Sequence, residues 1–280
     1  MLLARRNLQP LLAAAGIGAI WGLFEAQWVE CRSVEVLLEE LPPELDGFTI
    51  LHLSDLHLGT FSLNGVALEK AVRWAEQDAY DLVAVTGDLL TRQRGEPRLR
   101  DALARLRARH GVCAILGNHD VEASRDPFNA PTDASGIEAE GARLLEDASV
   151  TLAHEGALVQ VVGADPRDWK ARRPERLVEP DADLRILLAH FPDAVARLEP
   201  GAFQLVLAGH LHGGQICLPF PGRKVRLEHL RAVDWEGLHR TRAGMLHVSR
   251  GLGTSFVPFR MLARPEATKL TLRCRTGSIP

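Results

Sequence analysis

Five short groups of aspartate, asparagine and histidine punctuate this sequence, and each group follows an apolar run. The first consists of Asp55 and His57, which come directly after the run at residues 50–53. Residues two apart on an extended backbone project from the same face, so a carboxylate and an imidazole here form half of a coordination shell for a divalent metal. This pair alone is a weak signal, because an Asp-x-His triplet occurs often by chance.

The remaining four groups repeat the arrangement. They end four further apolar runs and supply these residues: Asp88; Asn118, His119 and Asp120; His190; and His210 with His212. Ligand sites in sheets of this kind gather beyond the carboxyl ends of the strands. Five runs that each end in a metal-ligating residue type therefore predict one metal site built by five strands.

The series Asp-x-His, Gly-Asp, Gly-Asn-His-Asp, His and Gly-His-x-His resembles the calcineurin-like metallophosphoesterase family. All five motifs occur in the family's order, and the resemblance covers about residues 47–270. It implies an α/β fold, a four-layer αββα sandwich with a two-metal site at the strand C-termini. The Gly-Gly-Gln sequence at 213–215 and the Ser-Arg-Gly-Leu-Gly sequence at 249–253 resemble a membrane-associated bacterial branch that includes envelope phosphodiesterases.

The resemblance also implies a division of the ligands between two metal ions. One ion takes Asp55, His57 and His212, the other takes Asn118, His190 and His210, and Asp88 bridges both. This mixture of imidazole, carboxylate and amide oxygen suits Mn, Fe, Zn or Co, and no thiolate biases the choice. Two ions held ~3.5–4 Å apart can share a water, lower its pKa and direct the resulting metal-bound hydroxide at phosphorus.

His119 stands next to a ligand without being assigned as one. By resemblance it protonates the leaving oxygen or stabilises charge in the transition state, and Asp120 is expected to orient it. The alternative is a purely structural role beside the site. Arg250 is a weaker candidate for contact with a phosphate. The other histidines match no motif and are interpreted as structural or surface residues: His52, His110, His154, His229, His239 and His247.

Composition restricts the class of protein. The chain has 280 residues, 46% of them hydrophobic, which is enough for one substantial core. The net charge of −3 shows no basic surplus, so no nucleic-acid partner is expected. The four cysteines include no Cys-x-x-Cys pair and indicate neither a disulfide framework nor a thiolate metal site.

The pattern of apolar residues predicts the elements that position the motifs. Helices are expected at 64–79, 96–110 and about 135–145, a hairpin at 150–154 and 158–163, and further strands at 34–38, 245–249 and 267–274. Residues 165–180 are charged and contain prolines. They are interpreted either as a lid or substrate-contacting loop or as an ordinary surface connection.

The first 30 residues differ from the rest. Arg5 and Arg6 precede an apolar run of 14 residues at 11–24, which is short of the ~20 residues needed to span a bilayer. The length fits an export signal, with a loose twin-arginine likeness. No good cleavage site precedes Trp28, so the segment is also a candidate anchor that leaves the domain outside the cytoplasm. A core helix of a cytosolic protein is the alternative.

The predicted organisation is therefore a signal or membrane anchor at 1–30 and a metallophosphoesterase domain at 31–280. The leading functional hypothesis is a binuclear, metal-dependent phosphodiesterase at the membrane that acts on a lipid-linked or envelope-derived phosphoester. One alternative is a cytosolic pyrophosphatase that acts on nucleotides or UDP-linked lipids. Another is a non-catalytic scaffold on the same fold, which the complete set of ligand residues disfavours.

Overall fold

Two six-stranded sheets form the centre of the computed structural model, which describes Ala13 and residues 16–121, 124–227 and 236–274. The first sheet has the strand order β1-β14-β2-β3-β4-β5. Its strands are β1 (Glu30–Leu38), β2 (Thr49–Leu53), β3 (Leu82–Thr86), β4 (Val112–Ile115), β5 (Ala142–Leu144) and β14 (Glu266–Cys274). Strands β2 to β5 run parallel, so their carboxyl ends share one edge.

The second sheet has the order β12-β13-β9-β8-β7-β6. Its strands are β6 (Ala148–His154), β7 (Ala157–Gly163), β8 (Leu184–Leu188), β9 (Leu205–Ala208), β12 (Gly237–Arg240) and β13 (Met245–Val248). Strands β7, β8, β9 and β13 are parallel to one another, and a separate hairpin consists of β10 (Cys217–Phe220) and β11 (Arg223–Arg226).

In the part of the chain that the structure describes, three α-helices and several short 3-10 helices accompany the sheets. The α-helices are α1 (residues 16–25), α2 (Asn64–Ala75) and α3 (Glu96–Arg105). The 3-10 helices are Pro43–Leu45, Gln93–Gly95, Ser135–Glu140, Pro174–Leu177, Pro192–Ala196 and His212–Gly214. The second sheet's outer face is covered in the described chain by 3-10 helices and loops, not by long α-helices.

Alternation along the strands divides the core into layers. In β2, Ile50 points between the two sheets while Leu51 points to the side covered by α2 and α3. In β8, Ile186 lies between the sheets and Leu187 contacts the outer layer of the second sheet. Strands buried on both faces read as continuous apolar runs. The predicted α/β, four-layer αββα sandwich is confirmed.

The structure corrects the predicted helices. The predicted helix at 64–79 ends at Ala75, and the one at 96–110 ends at Arg105. The helix expected at about 135–145 is wrong: Ser135–Glu140 is a 3-10 helix, Gly141 follows with φ 80°, and β5 then pairs with β4. A left-handed glycine ends a helix readily, and pairing at the sheet edge stabilises an extended chain after it. The predicted strands and hairpin are confirmed.

The described part of the N-terminal segment packs against the domain along one side. The buried Glu25 carboxylate accepts a hydrogen bond from the Ala263 backbone at 2.8 Å, and Arg260 N donates to Gly22 O at 3.0 Å. Within the described residues, no helix has both the length and the apolar character that membrane crossing requires. Arg5 and Arg6 of the predicted signal lie outside the described residues.

Candidate metal centre

All seven predicted ligands meet where the carboxyl ends of both sheets face each other. Strands β2, β3 and β4 of the first sheet lead into Asp55, His57, Asp88 and Asn118, and strands β8 and β9 of the second lead into His190, His210 and His212. Two clusters result, each with donor atoms within 4.8 Å of one another: Asp55, His57, Asp88 and His212; and Asp88, His190 and His210. Asp88 belongs to both, which is the arrangement expected of a bridging carboxylate.

The distances within the clusters fit divalent ions. His57 Nε2 lies 3.4 Å from Asp88 Oδ2, and His190 Nε2 lies 3.3 Å from the same oxygen. His212 Nε2 lies 3.5 Å from Asp55 Oδ1. Ligand atoms bonded at about 2.0–2.2 Å to one ion are separated from one another by roughly 3–3.5 Å. The residues present therefore fit the metal ions that the motifs imply.

The amide of Asn118 and the tautomer of His190 complete the second cluster. Asn118 Oδ1 lies 3.0 Å from His190 Nε2, so an amide oxygen joins the imidazole and the shared carboxylate. His190 Nδ1 lies 2.9 Å from the carbonyl oxygen of Thr86. Because a carbonyl only accepts hydrogen bonds, Nδ1 carries the proton and Nε2 is left to bind a metal.

Two imidazoles face each other in the first cluster. His57 Nε2 and His212 Nε2 are 3.1 Å apart, and both side chains are buried. The opposite nitrogen of His57 contacts Thr91 Oγ1 at 3.1 Å. Nitrogen lone pairs that converge beside two carboxylates are stabilised by a cation between them, which supports the metal interpretation of this cluster.

The backbone carries strain at these residues. Asp55, His57, Asp88, His210 and His212 all have positive φ, between 45° and 70°. Such values are uncommon outside glycine, and their concentration here is typical of a functional site. Hydrogen bonds of 3.0 Å from Asp55 N to Gly87 O and 2.9 Å from His57 N to Asp88 O tie the first two loops together.

Two glycines let the loops approach the carboxylates. A Cβ on Gly117 would lie 2.2 Å from Asp88 Oδ1, and one on Gly209 would lie 2.3 Å from Asp55 Oδ2. Because the two glycines carry no Cβ, His119 N can donate to Asp88 Oδ1 at 2.8 Å and His210 N can donate to Asp55 Oδ1 at 3.0 Å. The glycine that precedes a ligand in these motifs thus positions carboxylates from neighbouring strands.

Burial and mutual charge shift the titration of the ligands. Burial raises the pKa of Asp55 to about 6 and lowers the pKa of His57 to about 3. Burial opposes charge on Asp88 and His190 as well, but each stabilises the charged form of the other, so the pKa of Asp88 falls and that of His190 rises to about 9. A metal ion at His190 Nε2 would replace a proton, so binding should release protons.

His119 lies at the site, but its partner is not the predicted one. Its ring packs edge-on against His57 with centroids 4.4 Å apart, and its Nε2 lies 2.9 Å from Ser124 Oγ. The expected orientation by Asp120 is wrong, because that carboxylate accepts backbone hydrogen bonds from Leu89, Leu90 and Gly117 at 2.8–3.1 Å. Buried backbone N–H groups require a hydrogen-bond acceptor, and the Asp120 carboxylate is that acceptor here. His119 Nδ1 is buried and has no protein partner in the described chain.

An open cleft of about 580 Å³ leads to the metal clusters. Asn118 and His119 line its floor, Trp169 and Lys170 line one wall, and Phe256 lines another. The loop predicted at 165–180 therefore contributes residues to the cleft. Trp169 stacks on Phe191 with centroids 5.1 Å apart, which fixes that wall.

Sequence reasoning missed several residues that support the site. The buried Arg260 guanidinium donates to the carbonyl oxygens of His212 at 3.1 Å and Ala263 at 2.9 Å. Burial lowers its pKa to about 9. No motif marked this arginine, and a lone arginine in a loop gives no signal. Arg250 does not line the cleft; it pairs instead with Glu30 and Glu266 at 3.0 and 2.8 Å.

The histidines outside the motifs have structural contacts, as the sequence indicated. His52 and His247 form a buried pair with their Nδ1 atoms 2.8 Å apart. His110 and His154 pair at 3.0 Å beside Phe48. His239 Nε2 lies 2.8 Å from a backbone carbonyl, and His229 lies outside the described residues.

Comparison with known proteins agrees with this geometry. The sequence profile of the calcineurin-like phosphoesterases matches residues 48–214. The chain is 31% identical over 279 residues to the uncharacterized metallophosphoesterase YkuE of Bacillus subtilis, covering 94% of this chain and 93% of that protein. It is 27% identical over 279 residues to the phosphodiesterase YaeI of Escherichia coli, covering 97% of this chain and all (100%) of that protein.

A vertebrate relative is similar over nearly the whole chain. The transmembrane protein with metallophosphoesterase domain of Danio rerio is 30% identical over 288 residues, covering 96% of this chain and 63% of that protein. The profile match includes all seven predicted ligands, from Asp55 to His212, six of which form the two clusters. The chain therefore belongs to the calcineurin-like phosphoesterase family and is a metal-dependent phosphoesterase.

Proposed function

We propose that this chain is a phosphodiesterase that works with two divalent ions and acts at a membrane. The observation that carries the proposal is the pair of donor clusters that share Asp88 at the base of an open cleft. Asp55, His57 and His212 would hold one ion, and Asn118, His190 and His210 the other. Mn, Fe, Zn and Co all suit this donor set.

The metal ions, when bound, would activate water and neutralise charge on the phosphoryl oxygens. The residues of the chain set the charge of the site and position its carboxylates. Two carboxylates, Asp55 and Asp88, offset only part of the charge of two divalent ions, so the loaded site remains positive and attracts an anionic phosphoester. Backbone N–H groups of His119 and His210 hold the two carboxylates in place at 2.8–3.1 Å.

His119 is the proposed general acid for the leaving oxygen. Its Nε2 contacts Ser124 Oγ, while its Nδ1 is buried beside the cleft without a protein partner in the described residues. A hydroxyl can donate or accept, so Ser124 can support the tautomer that places the proton on Nδ1. An imidazole there can hold or release a proton toward the leaving group.

The shape of the cleft favours a diester over a monoester. Trp169, Lys170, Ser255 and Phe256 line the cleft in addition to the ligands. With a volume of about 580 Å³, the cleft has room for both substituents of a diester whose phosphorus lies at the clusters. A relative that is similar over 97% of this chain is itself named a phosphodiesterase.

The membrane part of the proposal comes from the N-terminal sequence. We propose residues 1–30 as a signal or anchor that places the domain, residues 31–280, outside the cytoplasm. Arg5 and Arg6 before the apolar run at 11–24 support this orientation. The outward side of α1 exposes Ile17 and Ile20, 69% and 70% accessible, in agreement with an apolar environment for this segment.

Turnover of two model esters tests the chemistry. The purified full-length chain is stripped with a chelator, reloaded separately with Mn²⁺, Zn²⁺, Co²⁺ or Fe²⁺, and assayed on bis(p-nitrophenyl) phosphate and on p-nitrophenyl phosphate. We expect activity only after reloading, about two ions per chain by elemental analysis, and a higher kcat/KM for the diester. His239→Ala, outside both clusters, should behave like the unmodified protein.

The alternatives give different results in the same experiment. A rate that survives exhaustive chelation contradicts the metal mechanism. Metal binding without turnover of any ester favours a non-catalytic scaffold, and preferred cleavage of a nucleotide or UDP-linked pyrophosphate favours the pyrophosphatase. A screen of lipid phosphates, sugar nucleotides and teichoic-type polymers then narrows the substrate.

A further inference from the structure

Seven aromatic side chains of the described chain are exposed, and the segment at residues 256–264 borders both groups in which they lie; together they are here called the aromatic face. Its members are Trp21, Phe24, Trp28, Phe61, Phe128, Phe220 and Phe256, each more than two fifths exposed. Scattered apolar residues are normal on a protein surface, whereas a connected set of large aromatic side chains indicates a binding surface.

Contacts through residues 256–264 connect the face. Phe61, Phe128 and Phe256 line a groove of about 420 Å³ with Val257 and Pro258. Farther along the same segment, Leu262 and Arg264 line a second depression of about 400 Å³ together with Trp21 and Trp28. The β10–β11 hairpin contributes Pro219, Arg223 and Lys224 to this depression, and Phe220 follows Pro219 in the hairpin. One stretch of chain therefore borders both halves of the face.

The orientation of α1 on this surface is fixed by its inner side. Arg260 N donates to Gly22 O, and Glu25 accepts from Ala263 N, so the opposite side of the helix points outward. At the edge of the inner side, Trp21 Nε1 donates to Glu25 Oε2 at 2.9 Å, and the exposed rings of Trp21, Phe24 and Trp28 contact one another with centroids 5.5–6.3 Å apart. The result is an exposed aromatic cluster on a helix that the domain itself holds in place.

Arginines accompany three of these aromatic rings. The guanidinium of Arg94 lies 4.2 Å from the centre of Phe61, that of Arg264 lies 4.1 Å from Trp28, and that of Arg223 lies 5.0 Å from Phe220. Neither Arg94 nor Arg223 forms a salt bridge within the described chain. Aromatic side chains with cationic groups at their margin are typical of proteins that rest in the headgroup region of a bilayer.

The surface formed by α2 and α3 has the opposite character. Two of its arginines are paired with acids: Arg73 with Glu69 at 2.6 Å, and Arg105 with Glu69 and Glu76 at 2.8 and 2.9 Å. It contributes no member of the aromatic face. Arg94 and Arg223 beside exposed rings, in contrast to these acid-paired arginines, make the aromatic face the side that is complementary to an anionic apolar surface.

We propose that the aromatic face docks on a bilayer that contains anionic lipid. The inference rests on the proposed membrane location but assigns it to side chains of the folded domain in addition to residues 1–30. Because Phe256 lines both the groove and the metal cleft, docking would place the cleft mouth near the headgroups. A phosphoester carried by a lipid would then reach the metal ions without leaving the bilayer surface.

Flotation of the full-length protein with vesicles tests the proposal. Vesicles of phosphatidylcholine alone are compared with vesicles that also contain phosphatidylglycerol. The protein should bind both, bind the anionic vesicles more tightly, and lose that preference in high salt. Phe61→Ala/Phe220→Ala, which removes two rings outside the N-terminal segment, should weaken binding by about tenfold or more. Arg94→Glu/Arg223→Glu should remove the preference for anionic vesicles.

Matched controls separate docking from folding and from chemistry. Leu37→Ala, an exposed aliphatic residue toward the far end of β1, and Arg109→Glu should bind vesicles like the unmodified protein. Phe61→Ala/Phe220→Ala should keep its thermal midpoint and its rate on soluble bis(p-nitrophenyl) phosphate. If the unmodified protein has no such rate, the proposed chemistry fails while the vesicle result stands.

Three outcomes would overturn the proposal. The first is a full-length protein that floats with neither vesicle. The second is undiminished flotation of Phe61→Ala/Phe220→Ala, which would leave attachment to residues 1–30 alone. The third is loss of self-association in that variant without any change in flotation, which would make a second copy of the chain the occupant of the face.

Discussion

Two buried histidine clusters lie side by side in this protein, and Thr86 contacts both. Its carbonyl oxygen is 2.9 Å from His190 Nδ1 in the metal centre, and its hydroxyl is 2.9 Å from His52 Nε2 in the pair formed with His247. Each cluster also contains a close nitrogen–nitrogen contact, of 3.1 Å between His57 and His212 in the metal centre and 2.8 Å in the pair.

The two clusters differ in the partners that their imidazole nitrogens contact. In the pair, the Nδ1–H of one histidine can donate to Nδ1 of the other. His52 Nε2 faces the Thr86 hydroxyl, and His247 Nε2 lies 3.8 Å from the Glu266 carboxylate. In the metal centre, imidazole nitrogens converge with the carboxylates of Asp55 and Asp88 and open toward the cleft. Burial of histidine therefore does not mark a metal site; converging acceptors beside carboxylates do.

The largest effect should come from removal of the shared carboxylate. Asp88→Asn should lose both metal ions and fall to the background rate of the chelated protein, because only Asp88 joins the two clusters and offsets the repulsion between the ions. Elemental analysis gives the metal content and bis(p-nitrophenyl) phosphate gives the rate. Two ions still bound per chain would contradict the bridging role, and His247→Leu is the control from the other cluster.

The next largest effect should appear at His119, and it should depend on the leaving group. His119→Ala should keep both ions and lower kcat by roughly 10²–10⁴ on an alkyl diester, with a smaller loss on a nitrophenyl ester, since an activated leaving group needs no proton. Kinetics on both substrates, with metal analysis, check this. Equal losses on both would leave His119 as an electrostatic stabiliser, and metal loss would make it part of the ligand framework.

The pair outside the metal centre should affect stability and not metal binding. His247→Leu leaves His52 Nδ1 buried without a partner, which should cost about 1–3 kcal/mol of unfolding free energy while both ions stay bound. The double variant His52→Leu/His247→Leu should lose less than the sum of the single changes. Denaturant titration measures both. Metal loss in His247→Leu would show that the two clusters are coupled.

The smallest effect should be a mild sensitivity to acid. Burial lowers the pKa of His52 and lowers that of His247 to about 4, so the folded protein keeps both neutral while the unfolded chain binds protons below about pH 6.5. Stability should therefore fall as the pH drops from about 7 toward 4, by roughly 0.7 kcal/mol between pH 7 and 6 for His247.

The metal centre also titrates, so this pH effect is best measured as a difference. Unfolding curves of metal-stripped unmodified protein and metal-stripped His247→Leu should diverge as the pH changes, with the unmodified protein losing more stability toward acid. Parallel pH dependences would remove His247 as the source of the effect.

The motifs could be predicted from the sequence because each one is local. A buried strand, a glycine and a polar turn occupy fewer than a dozen consecutive residues, and the parallel sheet that such strands form must bring their carboxyl ends together. This explains why residues as distant as Asp55 and His212 were expected at one site, whereas the sandwich was expected from the family resemblance that the motifs carry.

The partners of those motif residues depended on the tertiary structure. Asp120 follows His119 in the chain, but its carboxylate is held by the backbone of Leu89 and Leu90 from the neighbouring loop, and Ser124 contacts the imidazole instead. Pairing of residues 142–144 with β4 likewise replaced the end of a predicted helix. Secondary-structure propensity depends on a residue and its neighbours in the chain, whereas these hydrogen bonds and this strand pairing depend on groups from other parts of the chain.

By itself, the sequence determined where the strands that carry the motifs lie along the chain and which residues are the predicted metal ligands, since both follow from local patterns of apolar and polar residues. Only the tertiary structure decided which histidines share a metal cluster and which pair with each other, because His52 and His247 come from different sheets. It also brought Phe61 and Phe256 into one groove and placed Trp21 beside residues of the β10–β11 hairpin. Contacts between residues so far apart in the chain leave no periodic pattern in the sequence.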